Sequence, residues 1–111
     1  AYGRDEMLLA GAATGAVLAV GSTYSLCPGI AHRILDAVAA GDLAAARTAQ
    51  AELRAVVHVV QGHGGLAAMK TLLDRVGIAG GPCRMPLPTL STAQGEALLA
   101  DLTRTCPGAV P

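Results

Sequence analysis

Two short stretches of this 111-residue chain combine side chains that could grip a polyhydroxylated ligand. Gly3-Arg4-Asp5-Glu6 stands where an extended start turns toward a helix, and Gly21-Ser22-Thr23-Tyr24 follows the apolar run Ala16-Val17-Leu18-Ala19-Val20. Carboxylates accept hydrogen bonds from sugar hydroxyls, a serine hydroxyl both donates and accepts, and the backbone groups at Gly3 are open. Both stretches follow candidate strands, and in parallel α/β proteins ligands bind beyond the C-terminal strand ends. If those strands are neighbours, Asp5, Glu6 and Ser22 meet on one rim. The competing reading is capping: Asp5 and Glu6 complement the dipole of the helix they open, and Ser22-Thr23 caps the next turn. Spacing alone favours the caps.

Other reactive side chains lead less far. His32, His58 and His63 lie on three segments without a carboxylate at helical spacing, which reads as surface or loop histidines rather than metal ligands. Gly64 to Thr71 ends in Lys70-Thr71 like a phosphate loop, but Met69 stands where that motif needs a glycine for close backbone approach. Cys27, beside Pro28 at a helix start, is in a place where a thiol's pKa can fall; with no paired base it reads as a buried, inert thiol. Arg84, between Cys83 and Met85-Pro86, reads as the partner of a carboxylate rather than an anion site.

The elements that must position these groups are mostly helices. Residues 5–14 read as a short helix ended by Gly15, and 16–20 as a strand buried on both faces, of the kind found in parallel sheets. Ile30, Ile34, Leu35 and Val38 share a face of the next helix, which Gly41 closes. Asp42 can cap the helix in which Leu43, Ala46, Gln50, Leu53, Val57 and Val60 recur at spacings of three and four. Gly62-His63-Gly64-Gly65 breaks it, and Leu66, Met69, Leu73 and Val76 stripe a further helix stopping at Gly77. The prolines between Gly80 and Pro88 exclude helix there. Ser91-Thr92-Ala93-Gln94 is a capping-box pattern opening a last helix through Leu98, Leu99 and Leu102, and 106–111 reads as a loose tail. A buried strand needs partners on both sides, and only Ala1-Tyr2 offers another stump. The expectation is a piece of a larger α/β protein; the alternative is a small all-α bundle in which 16–20 is a helical turn.

Composition fits either. At 52% hydrophobic and 14% charged, with zero net charge and scattered basic residues, the chain is neither disordered nor patterned for nucleic acid. Ala, Leu and Val dominate the apolar content, with no Trp or Phe, as suits closely packed helices. Gly11 and Gly15 form a G-x-x-x-G, which here signals close helix packing. The run from Met7 to Gly21 follows Arg4-Asp5-Glu6 and is too short to span a bilayer, so no membrane partner is expected. Three cysteines without C-x-x-C spacing indicate neither a disulfide framework nor a zinc site and fit a reducing, cytoplasmic setting.

The segments Gly3-Arg4-Asp5-Glu6-Met7-Leu8-Leu9-Ala10-Gly11, Gly15-Ala16 and Gly21-Ser22-Thr23-Tyr24 resemble the N-acetylneuraminate lyase branch of the dihydrodipicolinate synthase superfamily. Gly41-Asp42-Leu43 with Ala46, Lys70, Gly77 and Gly81-Pro82-Cys83-Arg84-Met85-Pro86-Leu87 agree in order. The similarity runs from residue 2 to about 102 and covers the superfamily's C-terminal third. It implies an α/β fold: the last strands and helix of a (β/α)8 barrel at 1–26, then the final barrel helix and C-terminal helices at 27–105. It also implies a Schiff-base lyase that cleaves N-acetylneuraminate to N-acetylmannosamine and pyruvate, homotetrameric and without a cofactor. Gly3, Asp5, Glu6 and Ser22 match the residues that hold the sugar chain; the Schiff-base lysine precedes this stretch, and Lys70 is not it. Leu18 stands where the family has Gly and implies overpacking in a tight strand. Ser25 and Arg4 also depart from the pattern, which leaves open dihydrodipicolinate synthase or a keto-deoxy sugar-acid aldolase. Outside the superfamily, the alternative is a non-catalytic helical interaction module.

Overall fold

Five α-helices carry most of residues 1–109, which are the residues the computed structural model describes; Val110 and Pro111, in the tail expected to be loose, lie outside them. The helices are α1 (Leu8–Ala13), α2 (Pro28–Ala39), α3 (Leu43–Gly62), α4 (Leu66–Arg75) and α5 (Thr92–Thr105), with single 3-10 turns at Asp5–Met7 and Ser22–Ser25. The chain divides into two units, residues 1–57 and 58–111, and the division falls within α3.

In the first unit the helix read over 5–14 is split: a 3-10 turn opens it, and only Leu8–Ala13 is α-helical. Pro28 occupies the first turn of α2, where a missing N–H costs nothing and the fixed φ suits the helix. Gly41 follows α2 with φ of +74°, a conformation that costs a side-chain-bearing residue but not glycine. Asp42 then caps α3, its Oδ1 accepting from the Ala45 N–H at 2.9 Å. Leu8, Leu26, Ile30, Ile34, Ala46, Ala49, Leu53 and Val56 are buried; Leu43, expected on that stripe, is exposed. Each large aliphatic side chain taken out of water this way contributes roughly 1.5–3 kcal/mol.

The run 16–20 is not a strand buried on both faces. It makes one parallel bridge, between Tyr2 and Ala19, built from Tyr2 N–H to Leu18 O at 2.8 Å and Val20 N–H to Tyr2 O at 2.9 Å. Val17 is 99% exposed, and Leu18 and Val20 are largely so. The physical reason is that one neighbouring stretch can satisfy only one edge. Leu18, exposed, consequently overpacks nothing among the described residues.

The second unit packs α4 against α5. The buried face of α4 is Ala67, Ala68, Met69 and Leu72, with Leu66 exposed and Leu73 half-buried, so the stripe read from Leu66, Met69, Leu73 and Val76 is rotated toward the alanines. Small side chains let a helix approach its neighbour closely, and Gly95 of α5 is buried with Thr71 of α4 within contact of where its Cβ would stand. The capping box at Ser91 is complete: Ser91 Oγ accepts from Gln94 N–H, and Gln94 Oε1 accepts from Ser91 N–H. No helix of the described residues is long and apolar enough to cross a membrane.

Gly11 marks a tight approach in the first unit, because a Cβ there would overlap the ring of Tyr2. Alanine would add helix propensity worth up to about 1 kcal/mol, but overpacking costs about 1–3 kcal/mol. Gly11→Ala is therefore expected to lower stability by about 1–2 kcal/mol in urea denaturation, and Tyr2→Ala in the same chain should recover most of that loss. Additive losses would contradict the contact.

Candidate functional site

The rim residues come together through a buried carboxylate. Asp5, at the start of its 3-10 turn, is only 8% exposed. Its Oδ2 accepts from the Thr23 backbone N–H at 3.0 Å and from the Thr23 hydroxyl at 2.5 Å. The leading N–H groups of a helical turn have no partner within the turn. Asp5 thus caps, but not the turn it belongs to: it closes the Ser22–Ser25 turn, eighteen residues on, whose own Gly21 provides no side-chain cap. Hydrogen bonds to a charged acceptor contribute about 1.5–3 kcal/mol, more than neutral ones.

Thr23, buried, is the hub of that turn. Its carbonyl accepts from Leu26 N–H, Cys27 N–H and the Cys27 thiol, the last at 3.2 Å. Cys27 is buried, as expected, and none of the three cysteines forms a disulfide. Gly21 is half-buried beside Asp5, and a Cβ on it would overlap the carboxylate. Tyr24 brings its phenol to the same place: the hydroxyl oxygen is buried without a hydrogen-bond partner among the described residues. Burial first, and then the negative charge of Asp5, pushes its pKa up to about 12.

The remaining rim groups are more open. Glu6 is half-buried and pairs with Arg4 at 2.9 Å. Ser22 is exposed, and its hydroxyl makes no hydrogen bond among the described residues. Gly3 is exposed, one residue past the Tyr2 bridge. The arrangement offers an exposed hydroxyl, a surface carboxylate and open backbone along a rim that Asp5 holds in shape. It suits hydrogen bonding to a polar ligand rather than bond-breaking.

Sequence reasoning singled out the rim stretches but missed two residues that organise them. Spacing reads Thr23 with Ser22 as a cap, whereas its hydroxyl and N–H are what Asp5 grips. Periodicity makes Gln50 only one position of an apolar stripe. It is buried in α3, where its Oε1 accepts from Leu9 N–H at 2.7 Å and its Nε2 donates to Asp5 O at 3.2 Å. An amide inside an apolar stripe is itself the signal, since buried polar groups find partners.

The other reactive side chains lie elsewhere. Lys70, on α4, donates to Gly80 O at 2.5 Å. His63 has a carboxylate partner after all, Asp101 at 2.7 Å; thirty-eight residues separate them, a distance no helical spacing reveals. That bond, with Arg104, holds the Asp101 carboxyl below its ordinary value. Arg84, expected to pair with a carboxylate, is exposed and has no ion-pair partner among the described residues. The described residues contain no group of three or more His, Cys, Asp or Glu side chains that could hold a metal ion.

With this geometry in place, comparison with known proteins is decisive. The model of the dihydrodipicolinate synthetase family matches residues 2–105. The chain belongs to that family. It is 38% identical over 96 residues to N-acetylneuraminate lyase of Rhizobium meliloti (strain 1021), covering 86% of this chain and 32% of that protein. Among solved structures, Proteus mirabilis N-acetylneuraminate lyase superposes with a TM-score of 0.84 at 32% identity, over 93% of this chain and 35% of that one. KD(P)GA from T. tenax superposes with a TM-score of 0.81 at 28% identity, over 94% of this chain and 37% of that one. The chain thus spans about a third of the length of the curated relatives it matches.

The phenol gives a pH-dependent test. A folded-state pKa raised above the ordinary value of 10 means the stabilising contribution of neutral Tyr24 is complete below pH 10 and is lost as pH rises through about 12. In Tyr2→Phe, phenolate absorbance is expected to appear only as the pH approaches that upper value, with unfolding accompanying it. A phenol ionising near 10 in the folded chain would contradict this environment.

Proposed function

We propose that this chain is the C-terminal third of a pyruvate-dependent class I aldolase with a (β/α)8 barrel, one that cleaves N-acetylneuraminate to N-acetylmannosamine and pyruvate. The observation that carries the proposal is the joining of the Asp5 and Ser22 turns. They follow two parallel stretches bridged at Tyr2 and Ala19, and the Asp5–Thr23 hydrogen bonds lock them together. Neighbouring parallel stretches that end in ligand-binding turns are the rim geometry of such a barrel. The exposed apolar side chains of Val17, Leu18 and Val20, on a stretch paired along one edge only, support the same reading, because the other strands and the helices of a closed barrel would cover them. On this reading residues 1–26 close the barrel, and 27–105 add its last helix and the C-terminal helices.

In the whole enzyme, a lysine outside this chain forms an imine with the keto acid and stabilises the carbanion left when the aldol bond breaks. This chain supplies binding and orientation. Ser22 and Glu6 meet the hydroxylated chain of the sugar acid, the backbone at Gly3 flanks it, and Asp5 offers Oδ1 while Oδ2 remains on Thr23. The enzyme works as a homotetramer in the cytoplasm, without a cofactor. The likeness to KD(P)GA from T. tenax supports one second reading, a keto-deoxy sugar-acid aldolase on the same imine chemistry, and an aldehyde panel separates the two.

Placed in the Rhizobium meliloti enzyme in exchange for the matching third, the chain is expected to give a lyase that releases pyruvate from N-acetylneuraminate; the 111 residues alone should release none. A folded chimera that forms the pyruvate imine but cleaves only a different sugar acid would shift the assignment to the second reading. Asp5→Ala is a poor probe, because it also removes the cap of the second turn. Ser22→Ala is cleaner, since that hydroxyl makes no hydrogen bond among the described residues. It is expected to raise KM about three- to tenfold with kcat unchanged, the loss of one hydrogen bond to substrate. An unchanged KM would remove Ser22 from the site.

A further inference from the structure

We propose that Gln50 is a positioning residue for the sugar-binding rim: from α3 its side-chain amide clamps the backbone at both ends of the Asp5–Leu9 turn, and so sets where the Asp5 and Glu6 carboxylates stand. The inference rests on the sugar-acid lyase reading above. Its hydrogen bonds go to the main chain, at Asp5 O and Leu9 N–H, so it acts on the rim through the backbone.

The need for the clamp is visible locally. Asp5–Met7 is a single 3-10 turn feeding a helix of only six residues, too short to hold its own shape. Neither Arg4 nor Met7 provides a side-chain cap, so the leading N–H groups of α1 depend on what else lies near, that of Leu8 donating to Asp5 O within the segment. Gln50 supplies a partner for that of Leu9 from forty-one residues away, at 2.7 Å. Its Nε2 meanwhile reaches the carbonyl of Asp5, the residue whose carboxylate holds the Ser22–Ser25 turn. One amide thereby fixes the backbone of the residue on which both rim turns depend.

The chemistry is selective. One partner is a donor and the other an acceptor, so the site needs both functions at the end of a side chain of this length. Glutamine has both, and the partners also decide which end of the amide carries oxygen. An ionised glutamate would keep the bond from Leu9 N–H but lose the donation, and methionine would fill the volume with neither. Gln50 is buried, so water does not replace either bond.

The test uses the complete 111-residue chain exchanged into the Rhizobium meliloti enzyme, with N-acetylneuraminate cleavage and borohydride trapping of the pyruvate imine measured together. In Gln50→Met, KM for N-acetylneuraminate is expected to rise about tenfold, while pyruvate trapping per folded protein changes less than about twofold, because misplacing a positioning group spares steps that do not use it. Gln50→Glu, which keeps one of the two bonds, should fall between Met and the parent, and it carries the test if the methionine variant does not fold. An active parent whose folded variants keep the parental KM overturns the role of Gln50 alone. So does a variant in which cleavage and trapping fall together, since that marks general loss of structure. A parent chimera that neither traps nor releases pyruvate overturns the lyase reading, and this inference with it.

Discussion

The Asp5 carboxylate, buried and accepting both the N–H and the hydroxyl of Thr23, is the interaction on which the first half of the molecule turns. A carboxylate out of water is costly unless its oxygens are satisfied by well-placed donors. Here the need is met by the leading edge of a turn eighteen residues away, where an unpartnered N–H is available. The two deficits cancel. The consequence is geometric: the turn after Tyr2 and the turn after Val20 cannot drift apart without exposing both. Gly21 is part of the same constraint, because any side chain there would displace the carboxylate.

Around this joint the protein uses few strong interactions and much close packing. Tyr2 lies on Gly11, Cys27 and Leu26 close onto Thr23, and Gln50 reaches in from α3 to hold the backbone of Asp5. The second unit is organised differently. Its α4 presents alanines on its buried face, its α5 is started by a complete capping box, and its polar contacts include the part-buried pairs His63 with Asp101 and Lys70 with Gly80 O. In the unit that carries the rim the clamps fix the groups of the candidate site, whereas in the second Lys70 and Asp74 hold the Gly80 backbone at its carbonyl and its N–H. Catalytic and binding groups need placement to fractions of an ångström, and stability alone does not.

Much of this was legible in the residues. Helices were readable from their spacing and punctuation: Asp42 and Ser91 as caps, Pro28 at a first turn, and Gly41 and Gly77 as stops all act through atoms within a few residues of themselves. The rim stretches were legible too, as was the kinship they imply, because short motifs of fixed spacing survive in order along the chain. What was misread is equally instructive. The apolar run 16–20 suggested burial on both faces, yet Val17 and Leu18 face outward, since hydrophobicity states a preference and not the partner that fulfils it. The stripe on α4 was rotated by its alanines, whose small size makes them invisible to a pattern of large apolar residues.

The sequence by itself determined which segments are helical, where they stop, and which residue types stand at the two rim turns, because each depends on local backbone preferences and side chains near in the chain. Only the tertiary structure decided what those residues do. Asp5 could have capped its own helix; it caps the Ser22–Ser25 turn instead, because folding brings an unpartnered N–H and a hydroxyl closer than its own helix offers. Gln50 could have been a polar interruption on an apolar face; the fold presents it with one donor and one acceptor forty-one and forty-five residues away. Hydrogen bonds of that span leave no periodic trace, since nothing in local spacing encodes which distant backbone group will be left without a partner.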